Sequence, residues 1–348
     1  MMSWQHRYVV PSLLVAALAC GSGEHRATPA AAPGGTAGGL LVYVSNEGSH
    51  DLTVIDATAD TVVGTIQVGT RPRGVKLSPD GRTVYVALSG SPRCPPTMPD
   101  SECDKLKADR SQDGVAVVDV ATQKKEKTLP AGLDPETFDV SPDGSRLFVS
   151  NEDADSATIV DLKTDKAIAN VKVGGEPEGV TLAPDGKTVW VTGERDHDIT
   201  GIDVATGKKI ADIQVGQRPR GIGFLPDGSK AYVTDEVGGT VSVVDMTTRR
   251  QIKAITLAEG SRPMGIAITR DGKRIYVSTG RGGTVVQIDP VADSVVASVK
   301  VGVRPWGIAL TPDGGKLYSA NGPGNDVTVV STATMTVLKH IPAGELPW

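Results

Sequence analysis

Residues 71–87 read RPRGVKLSPDGRTVYVA: two short β-rich runs, GVKLS and TVYVA, separated by Pro-Asp-Gly-Arg. Asp-Gly supplies the positive φ angles that a tight hairpin turn needs, so the stretch predicts two adjacent antiparallel strands. The phrase recurs along the chain. Its turn aspartates are Asp80, Asp143, Asp185, Asp227, Asp271 and Asp313, spaced by 63, 42, 42, 44 and 42 residues. An aromatic residue follows each by five positions, namely Tyr85, Phe148, Trp190, Tyr232, Tyr276 and Tyr318. The first interval exceeds the period by 63 − 42 = 21 residues and marks an insertion. Tyr43 has no aspartate five positions before it, so a partial repeat opens the array.

Two more runs complete each repeat, for example TVSVVDM (240–246) and QIKAITL (251–257), joined by a turn whose Asp and Thr side chains can bond their own backbone. No run keeps a helical period, and four antiparallel strands in about 42 residues is the size of one β-propeller blade. One blade cannot bury both faces of its sheet, so blades stack face to face and close into a ring. Aromatic residues are only 4% of the chain, which suits narrow sheets that approach closely near an axis. The expected fold is all-β: a seven-bladed β-propeller with four antiparallel strands per blade. Six full blades start at Gly74, Glu136, Glu178, Gly221, Gly265 and Gly307. Blade 7 is closed by N- and C-terminal segments, with LVYVS, LTVID and VVGTIQV of residues 41–68 as its second, third and fourth strands. The repeat assigns its innermost strand to residues following Pro347-Trp348, with about five more residues called for by the period.

Residues 1–19 hold His6 and Arg7 ahead of an apolar run, YVVPSLLVAALA, too short for a stable membrane anchor but suited to a secretory signal peptide. Ala17-Leu18-Ala19-Cys20 satisfies the small-x-small cleavage rule and resembles a lipobox, so Cys20 is either the lipidated N-terminus of an exported protein or an incidental residue beside a plain cleavage site. Residues 20–39, rich in Gly, Ala and Pro, read as a flexible tether. Residues 40–348 are the propeller, with the insertion at 88–113. Export to the periplasm or cell surface is expected, and in that setting Cys94 and Cys103 favour a disulfide over a metal site. A net charge of −5 with scattered Lys and Arg offers no basic stripe, which argues against nucleic acid and against any membrane contact other than a lipid on Cys20.

In a propeller the inter-blade loops and the loops from second to third strand surround the mouth of the central channel, and here their residues vary. The inter-blade loops carry Arg71 and Arg73, Asp134 and Glu136, Glu176 and Glu178, Arg218 and Arg220, Arg262, Arg304 with Trp306, and Trp348. The second-to-third loops carry Glu47, Glu152, Glu194, Asp235 with Glu236, and Arg281. The rim thus divides into an acidic arc on blades 2 and 3 and a basic arc elsewhere. The basic arc can clamp carboxylates while Trp306 and Trp348 stack on a flat ring, and the acidic arc can hold a divalent cation. The plainer alternative is that these charges pair between neighbouring blades and latch the ring. The insertion overhangs the same mouth.

The segments YVSN (43–46), YVTD (232–235) and YVST (276–279), with the frame VG-x-RP-x-G-IAL-x-PDG, resemble the YVTN family of β-propeller repeats over nearly all of residues 40–348. The order RPRG, DPE, EPEG, QRPRG, RPMG, RPWG and LPW is similar to exported propellers associated with PQQ-dependent catabolism in bacteria. The resemblance implies fold and compartment and carries no catalytic residues with it. The chain itself has no CxxCH, HExxH, GxSxG or paired CxxC, and of its five histidines only His50 and His197 fall on the rim. No cofactor is evident beyond the divalent cation. The expected function is a monomeric binding or accessory module with a protein partner or a small anionic ligand on its top face. The alternative is a metal-dependent lactonase-like hydrolase or lyase, in which rim acids hold a cation that activates water or polarises a carbonyl.

Overall fold

The computed structural model describes residues 39–93, 98, 100–103 and 105–348. The signal peptide, the tether through residue 38, Cys20 and Cys94 lie outside them, as does the side chain of Cys103, and the lipidation and disulfide expectations with them.

Seven antiparallel sheets form the blades of a β-propeller. In blade 1 the strands run, from the channel outward, Pro72–Leu77, Thr83–Leu88, Gly114–Asp119 and Lys124–Leu129. Inner strands open at the proline, one or two residues before the expected starts, with Pro135, Pro177, Pro219 and Pro305 in the place of Pro72. In blade 5 the inner strand shrinks to Ile266–Ile268. Every blade shifts register once between its third and fourth strands, a bulge that adds twist. Helix is confined to single turns, such as Asp100–Cys103 in the insertion.

The recurrent four-letter phrase on each second strand has a contact for each letter. The aromatic ring packs between blades, as with Trp190, Phe148, Tyr232 and Tyr276, all at most 2% exposed. Trp190, the bulkiest, faces Gly201 across the ladder, where any Cβ would stand 2.8 Å from the indole. The valines of the phrase fill the clusters that join neighbouring sheets. The third letter, Ser or Thr, donates to a main-chain carbonyl of the next inner strand: Ser45 to Arg73, Ser150 to Glu178, Thr192 to Arg220, Thr234 to Met264 and Ser278 to Trp306, at 2.6–3.0 Å. This girdle lapses at blades 1 and 6, where the letters are Ala87 and Ala320. The fourth, where it is Asn or Asp (blades 2, 4, 6 and 7), bonds third-strand hydroxyls, as in Asn321 to Thr328 at 2.8 Å.

Blade 7 has three strands, Leu41–Asn46, Asp51–Asp56 and Thr61–Gln67. Against its inner edge the chain end lays one bridge, Asn46 to Pro347, and the Trp348 N–H donates to the Ser45 carbonyl at 2.9 Å. Pro347 holds the register that Pro72 holds on Leu88 and Pro305 on Asn321, so the expected innermost strand begins in place and goes no further among the described residues. The inner strands enclose a cavity of ≈ 300 Å³ lined by Val42, Val75, Ile222, Ile308, Trp306 and Trp348 among others.

Candidate functional site

At the channel mouth one backbone arrangement repeats. The residue before the inner-strand proline is left-handed in Arg71, Asp134, Glu176, Arg218, Arg304 and Leu346, with φ between 43° and 56°. A residue before proline avoids helical backbone, and a non-glycine residue in the left-handed region stores strain, so each needs support. The support comes from the last residue of the neighbouring second-to-third loop, 21 positions earlier, whose side chain accepts the strained N–H. His50 Nδ1 takes Arg71, Asp113 takes Asp134, Asp155 takes Glu176, His197 Nδ1 takes Arg218 and Asn325 takes Leu346, at 2.9–3.2 Å. Both rim histidines thereby sit beneath strained turns; His50 Nδ1 is the acceptor at Arg71, whereas His197 Nδ1 also lies 2.8 Å from the Glu194 carbonyl, and it accepts from Arg218 only in the tautomer that carries its proton on Nε2. The signal in the sequence is a His, Asp or Asn 21 residues before the residue that precedes proline, and residue-type reading of the rim alone misses it.

The rim arginines of blades 1 and 4 sit among carboxylates. Arg71 binds Glu47 at 2.7 Å and donates to the Ser91 carbonyl at the foot of the insertion, also at 2.7 Å. Arg73, on the adjoining inner strand, pairs with Glu136 and lies 3.6 Å from both Glu47 and Glu152 and 3.8 Å from Asp134. Arg220 pairs with Glu178 and Glu194, and with Glu236 at 2.8 Å. Arg218 binds Glu194 at 2.5 Å. The acidic arc of blades 2 and 3 is therefore threaded by arginines from both sides and is not an open anionic surface. Burial pushes the Glu152 and Glu194 carboxyls upward against the pull of Arg73 and Arg218. Burial also opposes ionisation of Glu236, yet the Arg220 guanidinium holds it below its ordinary value. Glu176 pairs with Arg195 at 3.0 Å toward the outside. Asp235 is fully buried beneath its loop, bound by Thr240 and Ser242 at 2.7 and 2.8 Å, and so is not on the rim.

Asp134, Glu136 and Glu152 bring one oxygen each within 4.8 Å of one another, a spacing that can hold a cation. Arg73 reaches all three, so an ion there competes with a guanidinium already in contact.

Blades 5 and 6 differ. Arg262 donates to the main-chain carbonyls of Glu236 and Val237 at 3.4 and 3.0 Å. Arg304 lies over the Trp306 ring, 5.4 Å from its centroid, and Arg281 is exposed beside it. Among the described residues these three arginines have no carboxylate partner, and the indole Nε1 of Trp306 is buried without an acceptor. Partial burial and then the nearby Arg281 charge lower the pKa of Arg304, with Glu236 opposing.

A YNCE-like beta-propeller family matches residues 103–230, and a seven-bladed beta-propeller lactonase family matches residues 180–340. The antigen Lp49 of Leptospira interrogans is 32% identical over 110 residues, a match spanning 32% of this chain and only 23% of that protein's length. Among solved structures, hydrazine synthase of Kuenenia stuttgartiensis is 23% identical with a TM-score of 0.72, covering 84% of this chain and 92% of its own. A proposed 6-phosphogluconolactonase from Bacteroides uniformis is 17% identical with a TM-score of 0.72, covering 88% and 97%. A protein of unknown function from Desulfotomaculum acetoxidans is 15% identical with a TM-score of 0.71, covering 88% and 98%. At these identities the structures share the fold.

Proposed function

We propose that this chain is an exported, membrane-tethered β-propeller that binds a small anionic ligand at the channel mouth, on the sector formed by blades 5 and 6. The observation that carries the reading is the contrast around one rim. The arginines of blades 1 and 4 are neutralised by Glu47, Glu136, Glu178, Glu194 and Glu236, whereas among the described residues Arg262, Arg281 and Arg304 form no ion pair, Glu236 acting on Arg304 only at longer range. Clustered, partly desolvated cations repel one another, and an anion relieves that repulsion. Export rests on the apolar run before Cys20, lipid tethering on ALAC with the polar spacer behind it, and a link to quinoprotein-dependent catabolism on the RP-x-G frame. The test is a thermal-melt panel of carboxylates and phosphate at fixed ionic strength. The wild type is expected to gain stability with at least one of them, and the Arg281→Ala/Arg304→Ala double variant is not. An equal response in both proteins refutes the site.

One observation favours the rival, metal-dependent hydrolase: the Asp134, Glu136, Glu152 trio on the opposite arc. A lactone carbonyl polarised by an ion there would sit across the channel from the free arginines. Lactone hydrolysis that depends on added calcium and is lost in Glu152→Gln would decide for it.

A further inference from the structure

Six of the seven inter-blade junctions hold a strained left-handed residue before proline, and five of those six place its N–H within 3.2 Å of a polar side-chain atom 21 residues earlier. The remaining one is Arg304. Its supporting position, 21 residues earlier, is Gly283, which has no side chain to offer, and the Arg304 N–H has no acceptor among the described residues. At the junction between blades 4 and 5, where the supporting position is also a glycine, Gly239, the loop is two residues longer and the Arg262 N–H bonds the Thr279 carbonyl at 2.9 Å instead. Blade 6 has no such substitute.

The backbone at Gly283 has not moved away. Val301 donates to its carbonyl at 3.0 Å, as Val173 does to Asp155 at 3.1 Å and Ala343 to Asn325 at 3.0 Å. Gly283 is left-handed, φ 67°, like Asp155 and Asn325. A Cβ placed there meets only the Gly302 carbonyl oxygen, 3.4 Å away, so the volume filled by a carboxylate or carboxamide at the sister positions is open.

We propose that a ligand carboxylate occupies this volume, accepting the Arg304 N–H in the position where the Asp155 carboxylate accepts Glu176, with Arg281 and Arg304 supplying the charge. The inference rests on the anionic-ligand reading above and names the atoms that take the ligand's charged group. A backbone N–H with two guanidinium groups nearby offers donors and positive charge, which favours an ionised carboxylate over a neutral amide and excludes a cation. Gly283 thereby sets specificity, because any side chain able to support Arg304 would fill the site from within.

The experiment is a benzoate titration of the full chain followed by amide and indole resonances. In the wild type the Arg304 amide and the Trp306 indole N–H shift saturably. In Gly283→Asn, whose side chain copies Asn325, the Arg304 amide already stands at a shifted position and benzoate affinity falls at least tenfold, while the melting temperature holds or rises. Benzamide, the neutral analogue, binds at least tenfold more weakly than benzoate. Saturable benzoate binding that leaves both resonances unmoved, or that persists undiminished in Gly283→Asn, overturns the subsite while leaving an anion-binding mouth standing. Absence of any benzoate binding to the wild type, with phosphate also inert, overturns both.

Discussion

Asp235 occupies the place that Asn46, Asn151 and Asn321 hold in blades 7, 2 and 6, at the end of the second strand. Burial pushes its carboxyl up to about 6 from 3.8, against the hydrogen bonds of Thr240 and Ser242. A carboxyl with a raised folded-state pKa keeps its proton in the native state where the unfolded chain has lost it. Its contribution is therefore complete below about 3.8, declines as pH rises and is gone above about 6. Asp235→Asn is expected to remove that decline and to stabilise the protein at pH 8 by on the order of 2 kcal/mol. Urea unfolding at pH 5 and pH 8 checks it: a stability difference between the two pH values unchanged from wild type would show that Asp235 is ionised in the fold at no cost. In the sequence Asp235 reads as one rim acid among several, because residue type and loop position do not reveal that its side chain turns under the loop. The rim charges themselves were legible as charges. Their partners were not, since Arg73 meets Glu152 and Arg220 meets Glu178 across blade boundaries that a linear repeat does not measure.

At the scale of elements, the insertion and blade 7 are the two departures from the repeat. The Asp109 N–H donates to the Gly90 carbonyl at 2.9 Å, closing a stem, and Arg110 ties that stem to Asp113 at 3.2 Å and to Asp153 of blade 2. Because this stem closes before residue 93 and after residue 107, and the described residues between them supply no blade strand, replacing residues 93–107 by Asn-Gly should leave cooperative unfolding intact and the melting temperature within about 2 °C of wild type. Loss of a single sharp transition would show that the excised residues pack on the ring. Blade 7 offers the opposite case. The inner edge of Leu41–Asn46 carries the Pro347 bridge and the Trp348 bond and no further ladder among the described residues. Unpaired edge groups are costly. Adding Gly-Ile-Ala-Leu, the sequence of residues 307–310, after Trp348 is expected to raise the melting temperature by about 2–4 °C if the completed strand contributes about 1–2 kcal/mol. An unchanged value would mean that this edge is already covered. The strands and their order were readable because Asp-Gly turns and the aromatic five residues on fix register locally. The support rule at the rim was not, because it couples residues 21 apart through a strained φ angle that composition does not announce.

The three strands of blade 7 meet the segment that follows blade 6 through non-covalent contacts, main-chain bonds such as Gly48 N–H to the Glu345 carbonyl at 2.8 Å on the inner side and side chains on the outer side. Lys316 and Tyr318 of blade 6 both bond Asp60, in the outer turn of blade 7, at 2.6 and 2.5 Å. Lys230 and Tyr232 bind Asp293 in the same way between blades 4 and 5, where the chain is continuous. Removing one partner of such a buried cluster strands the other two. Asp60→Ala and Asp293→Ala should each cost about 2–4 kcal/mol. Only Asp60→Ala is expected to speed hydrogen exchange throughout blades 6 and 7, since only there does losing the clasp let the ring open. Equal exchange patterns in the two variants would place closure elsewhere. The polarity of the mouth is a property of the same closed ring: saturated arginines on one side of the channel, uncompensated ones on the other. The most direct test of the binding role that this polarity implies is a native mass spectrum of the protein isolated without denaturation from the cells that make it, alongside Arg281→Ala/Arg304→Ala prepared identically. One anionic adduct per chain, present in the wild type and missing from the double variant, is the expected result; an adduct retained in the double variant, or a bare wild-type chain, contradicts it.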